Sequence, residues 1–122
     1  MEDIPILKIC IIGDGNVGKT TFIYKYITNK FCKKYIPTIG VDVHKLSIYT
    51  DYGILQLNIW DTAGQKKNRG LKDCYYINAN AAIIMFDITS KTSYKNVSMW
   101  YNSVKNVCGN IPIVLCGTKI DL

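Results

Sequence analysis

The octapeptide Gly13-Asp14-Gly15-Asn16-Val17-Gly18-Lys19-Thr20 constrains this chain more than any other segment. It fits G-x-x-x-x-G-K-[ST] at every fixed position, between an apolar run, Ile6–Ile12, and a helical pattern from Lys19 to about Thr28. A strand apolar at nearly every position must be buried on both faces, which places it inside a parallel sheet covered by helices. Each residue type has its own reason. Gly13 and Gly18 permit turns that bulkier residues resist, so consecutive N–H groups can point at phosphate oxygens. The helix beginning near Lys19 adds the positive end of its dipole. The Lys19 ammonium reaches β- and γ-phosphates, and the Thr20 hydroxyl can ligate Mg²⁺. Asp14, Gly15, Asn16 and Val17 within the loop, and Thr21 just after it, complete the expected nucleotide-binding set. A glycine-rich turn without a ligand is the competing reading, and the strand-to-helix setting disfavours it.

The rest of the chain alternates in the same way. Asn29–Gly40, with Pro37 and Gly40, reads as a loop. Val41–Thr50 and Ile54–Trp60 are β-branched and aromatic runs joined by Asp51-Tyr52-Gly53, a hairpin and hence one antiparallel pair. A loop over Asp61–Gly70 and a short helix toward Asn78 lead to a buried strand, Ala81–Asp87. From Ser93 to Cys108, apolar residues at Tyr94, Val97, Trp100/Tyr101, Val104 and Val107 step by three and four, as on an amphipathic helix. Its aromatics are read as core anchors. Gly109-Asn110 ends that helix, and Ile111–Cys116 is the last strand. The predicted fold is a single α/β domain, a doubly wound, mostly parallel sheet with one antiparallel edge strand.

Two further motifs follow strands. In Asp61-Thr62-Ala63-Gly64-Gln65, an acid at a strand's carboxyl end can hold Mg²⁺ through water. The Gly64 N–H can contact a γ-phosphate, and Gln65 can orient the attacking water. Asp61 alone could equally be a turn-forming aspartate. In Thr118-Lys119-Ile120-Asp121, the Asp121 carboxylate can accept both the N1–H and the N2 amino group of guanine. Adenine lacks that donor pair, so Asp121 would select the base. These two motifs disfavour a phosphate-loop kinase or ATPase.

Composition narrows the rest. Hydrophobic residues make up 48% and charged residues 20%, the balance of a globular protein. The longest apolar run is too short to span a bilayer, and the start carries no secretory leader pattern. Five cysteines without a C-x-x-C pair fit a reducing compartment. A structural metal site is not expected, since the one histidine, His44, has no ligand spacing around it and reads as structural. The net charge of +6 is spread over scattered lysines and reads as solvated loop charge, not a nucleic-acid surface. No lipid-anchor signal is present at Thr118–Leu122.

The three motifs, in this order and at these separations, resemble the Ras superfamily of small GTPases over roughly Ile6 to Leu122. Within it the resemblance is closest to the Ran family. It is carried by Lys33-Lys34-Tyr35 with Thr38, by Gly40–His44, by Ala82–Asp87, by Tyr94–Val97 and by Asn110–Gly117. The resemblance implies a P-loop G domain that binds GTP and GDP with Mg²⁺ and hydrolyses GTP. Thr38 would meet Mg²⁺ and the γ-phosphate beside Thr20 and Asp61, Phe31 would pack edge-on against guanine, and Tyr35 would lie near Gln65. Gln65 and Lys19 would be the catalytic pair, with Thr118 and Lys119 joining Asp121 around the base. Implied partners are importin-type transport receptors, a GTPase-activating protein and an exchange factor. The implied setting is a monomer moving between nucleus and cytoplasm.

Departures from that pattern adjust the expectation. Thr118 replaces the usual asparagine, and Asn16 a glycine. Lys66 stands where the family has a glutamate that pairs with the loop lysine during catalysed exchange, so a weak response to exchange factor is expected. Asn68 replaces a phenylalanine that anchors the nuclear import carrier, and an amide there should lose most of that contact. The chain stops before a further strand, a second base-contacting loop and a covering helix, so the domain is expected to be incomplete, with an open last strand and uncovered apolar sheet. A module that engages Ran partners without efficient turnover is therefore the alternative.

Overall fold

The computed structural model describes residues 4–14, 33–36, 41–61 and 73–118, with the side chains of 33–36 and 73–74 outside that description. Six strands form one sheet: β1 (Ile6–Ile12), β2 (Lys33–Ile36), β3 (Val41–Thr50), β4 (Gly53–Asp61), β5 (Ala81–Asp87) and β6 (Ile113–Thr118). Their order across the sheet is β2-β3-β4-β1-β5-β6. As its apolar sequence requires, β1 lies in the middle, parallel to β4 on one side and β5 on the other. β5 and β6 are also parallel, and β3 is the one strand running against the rest.

Alternation along β1 sends its side chains to two different layers. Cys10 and Ile12 join Val43, Ala82 and Ile84 beneath Tyr75, Tyr76, Trp100 and Val104. Ile11 joins Ile59 and Met85 on the other face, with Ile9, Leu46, Leu57 and Ile83 packed around them. Among the described residues, α1 (Asp73–Tyr76) and α3 (Val97–Cys108) cover the first layer, and α2 (Lys91–Lys95) leads into α3. Tyr75 ties the strands together. Its hydroxyl donates to the carbonyls of Trp60, at 2.6 Å, and Ile11, at 3.0 Å, across the seam between β4 and β1.

Four sequence expectations change. Lys33–Ile36 is a short strand, not loop, because it pairs antiparallel with Val41–His44. Two antiparallel pairings therefore stand where one was expected, and β3 lies one strand in from the edge. The single helix expected over Ser93–Cys108 starts earlier and divides at Asn96. Ser90 caps α2 by accepting the Ser93 N–H at 3.2 Å, and Gly109 ends α3 at φ +70°. Of its three aromatics only Trp100 is a core anchor. Tyr94 and Tyr101 are exposed, with Tyr94 edge-on to Phe86 at 5.3 Å. The last strand runs two residues later than expected, Ile113–Thr118, after the Pro112 carbonyl has accepted the Ala82 N–H. The helix expected over Lys19 to Thr28, and the loop beyond Asp61, lie outside the described residues. No helix among the described residues is long and apolar enough to cross a membrane.

Candidate functional site

The strands β1, β4, β5 and β6 end on the same edge of the sheet, and β3 begins there. That edge collects Gly13 and Asp14 after β1, Asp42 at the start of β3, Asp61, Asp87 and Thr118. The chain reverses direction of travel across the sheet at β1, going to β4 on one side and β5 on the other. Open α/β sheets take ligands outside the carboxyl ends of their strands at such a reversal.

Gly13 is required by two features at once. Its φ is +144°, and a Cβ built on it would stand 2.2 Å from the Met85 carbonyl oxygen of β5. The first loop residue therefore rests directly on the neighbouring strand. Asp14 turns to the helical side. Its Oδ1 accepts the indole N–H of Trp100 at 2.9 Å, and its Oδ2 accepts the Asn96 side-chain N–H at 2.7 Å.

Asp61 is buried at the end of β4, paired in register with Ile11 of β1 and Asp42 of β3. Two carboxylates opposite one another would repel. His44 lies two residues along the same face of β3, and the donor atoms of Asp42, His44 and Asp61 all lie within 4.8 Å of one another. Carboxylate oxygen is the hard donor type that Mg²⁺ takes, and Asp61 presents one at this edge. The floor beneath is apolar and disfavours charge. Burial pushes the Tyr75 phenol well up, reinforced by nearby Cys10 and Asp61, and pushes the Cys10 thiol up to about 12, partly offset by Lys8.

The far side of the edge is held by short polar contacts. Asp87 Oδ1 accepts the Thr89 backbone N–H at 2.8 Å and its hydroxyl at 2.6 Å. Ser93 Oγ accepts the Asp87 N–H at 3.0 Å and donates to the Ser90 carbonyl at 3.0 Å. The Thr118 hydroxyl donates to the Phe86 carbonyl at 3.1 Å, so the residue standing in for asparagine is bonded to the adjacent strand.

Of the sequence-predicted residues, the structure gathers Gly13, Asp14, Asp61 and Thr118 on this edge. The backbone of Tyr35 sits in β2, paired with Asp42. Gly15 to Thr21, Phe31, Thr38, Gly64, Gln65, Lys119 and Asp121 lie outside the described residues. Asn96 and Trp100 were not foreseen as site residues. The available signal was an amide and an indole four apart on one helix face, each with an N–H that must find an acceptor when buried.

A sequence model of the Ras family matches residues 8–122, nearly the whole chain. With the strand order, the start of the phosphate-loop signature, Gly13 and Asp14, at the sheet's reversal point and the acid at the end of β4, the chain belongs to the Ras family, whose members are GTP-binding switches.

Proposed function

We propose that this chain is a Ran-like switch that binds GTP with Mg²⁺ and hydrolyses it to GDP. The observation that carries the reading is the convergence of Gly13, Asp14, Asp61 and Thr118 on one edge of the sheet, where three separate nucleotide motifs begin. In this reading Lys19 and the loop amides hold the phosphates, Gln65 orients a water, and Asp121 with Lys119 reads guanine. The water oxygen bonds to the γ-phosphorus as the bond to the β–γ bridging oxygen breaks, giving GDP and inorganic phosphate. Thr20, Thr38 and Asp61 would hold Mg²⁺, which offsets charge on the β- and γ-phosphates when bound. Gly15 to Val17, Gly18, Thr21, Phe31 and Gly64 would line the same ligand.

The Ran-like part rests on the sequence resemblance alone, chiefly Lys33–Tyr35, Gly40–His44 and Asn110–Gly117. It carries importin-type receptors as partners and a nuclear and cytoplasmic setting. Lys66 and Asn68 argue against a normal response to exchange factor and import carrier. A second reading, partner binding with weak turnover, is favoured by one observation. Val114 and Leu115 of β6, the strand that delivers Thr118, are each more than half exposed.

Affinity for labelled GDP, GTP and ATP, with and without Mg²⁺, tests the reading. Guanine preference, tightening by Mg²⁺ and a loss of about tenfold to a hundredfold in Lys19→Ala are expected. ATP competing as well as GTP would sink it. Tight GTP binding without phosphate release would leave the second reading. A GTP-loaded chain that binds no importin-type receptor would remove the Ran-like part only.

A further inference from the structure

The Asp14 carboxylate is held at two points one turn apart, by Asn96, the residue that caps α3, at 2.7 Å and by Trp100 within it at 2.9 Å. Both are short hydrogen bonds from a side-chain N–H to a carboxyl oxygen. Neither partner is free to drift. The Trp100 indole is only 6% exposed and packs in the layer of Tyr75, Tyr76 and Val104, so the core sets its position. Asn96 is the joint between α2 and α3. Its backbone N–H donates to the Thr92 carbonyl at 3.1 Å, and its own carbonyl accepts the Trp100 N–H at 3.1 Å. α2 is in turn anchored to the end of β5 through Ser93 and Asp87.

The phosphate loop is thus fixed at its start from two sides. Gly13 rests on the β5 backbone, and Asp14 is held by α3. A loop whose first residues are already held loses less freedom when a phosphate arrives, and it lets go more slowly. We propose that Asn96 and Trp100 are positioning residues for the phosphate loop: by holding Asp14 they fix the start of the loop and so lengthen the residence of a guanine nucleotide. This rests on the guanine-nucleotide reading above.

Release of fluorescently labelled GDP from the full chain, chased with excess GDP well below the melting temperature, tests it. Asn96→Asp sets a second carboxylate against Asp14 and should speed release on the order of tenfold. The exchanged pair Asp14→Asn with Asn96→Asp restores the pattern, since residue 14 then donates to residue 96 and still accepts the indole N–H. Release from that double variant should return to within about threefold of wild type. Asn96→Ala, which removes one donor without repulsion, should release several-fold faster and serves if Asn96→Asp does not fold. A merely structural role would lower the melting temperature of the single variants without this rescue of the release rate. Release unchanged in both single variants, or as fast in the exchanged pair as in Asn96→Asp, overturns the proposal. If the wild type does not bind labelled GDP, the guanine-nucleotide reading fails and the proposal falls with it. If the wild type binds and the variants release alike, only this proposal falls.

Discussion

Replacing Gly13 with alanine should be the most damaging single-methyl change on the sheet, and its cost can be divided into two parts. The first is conformational: φ of +144° is a region that L side chains rarely adopt, costing about 1–3 kcal/mol. The second is steric. The new Cβ would lie 2.2 Å from the Met85 carbonyl oxygen and 3.2 Å from its carbon, both backbone atoms of β5 that no rotamer change can move. Relieving that overlap means separating β1 from β5 near Ile12 and Ile84, for which overpacked cores suggest about 1–3 kcal/mol more. Together these reach about 2–6 kcal/mol, a large part of the ~5–15 kcal/mol that holds a typical domain folded.

Gly109→Ala isolates the conformational part. It too has positive φ, +70°, yet a methyl added there, at the end of α3, would meet nothing within 4 Å. Urea unfolding followed by far-UV circular dichroism should show Gly13→Ala losing at least ~1 kcal/mol more than Gly109→Ala. In thermal melts that gap corresponds to several degrees. Equal losses in the two variants would refute the close approach of Gly13 to β5 as the reason glycine is needed there.

Tyr75→Phe removes the hydroxyl that bonds both Trp60 and Ile11 carbonyls, and should cost about 1–2 kcal/mol in urea unfolding; a change near zero would mean that the seam between β1 and β4 does not depend on it. Cys10 gives a pH dependence. Its thiol rises from 9.0 to about 12 on folding, so above pH 9 the unfolded chain sheds a proton that the folded chain keeps. Stability is then intact below pH 9 and falls as pH rises toward 12, by up to about 1.4 kcal/mol per pH unit. The buried phenols of Tyr75 and Tyr76 act in the same direction above pH 10. Urea midpoints at pH 8 and 10 should therefore separate more in wild type than in Cys10→Val, and equal separations would count against burial as the cause.

Much of the architecture could be read along the chain because the signals were local. β1 and β5 are apolar at nearly every position, and such runs have few places to go except the interior of a parallel sheet. The β3–β4 hairpin announced itself through Asp51-Tyr52-Gly53, which the structure closes with Thr50 Oγ1 donating to the Gly53 carbonyl at 2.7 Å. Lys33–Ile36 reads as loop from the sequence because the segment is only four residues long, although Tyr35 and Ile36 suit a strand. It becomes one only when β3 offers its edge, and the nearby Pro37 and Gly40 spoke for a loop. The break at Asn96 was hidden for a similar reason. The apolar spacing from Tyr94 to Val107 is continuous, and the cap made by Ser90 and Ser93 depends on where β5 ends.

By itself, the sequence determined the phosphate-loop signature after the first apolar strand, the acid at the end of β4, and hence the family. Those features depend on residue types at short, fixed separations, which no folding is needed to reveal. The tertiary structure decided what touches that loop. It set Gly13 against the Met85 carbonyl of β5, brought Asp42 and His44 beside Asp61, and gave Trp100, legible only as a core residue, a second partner in Asp14, 86 positions away. Such contacts follow from strand order and register, which arise from burying both faces of one sheet at once and leave no mark in local spacing.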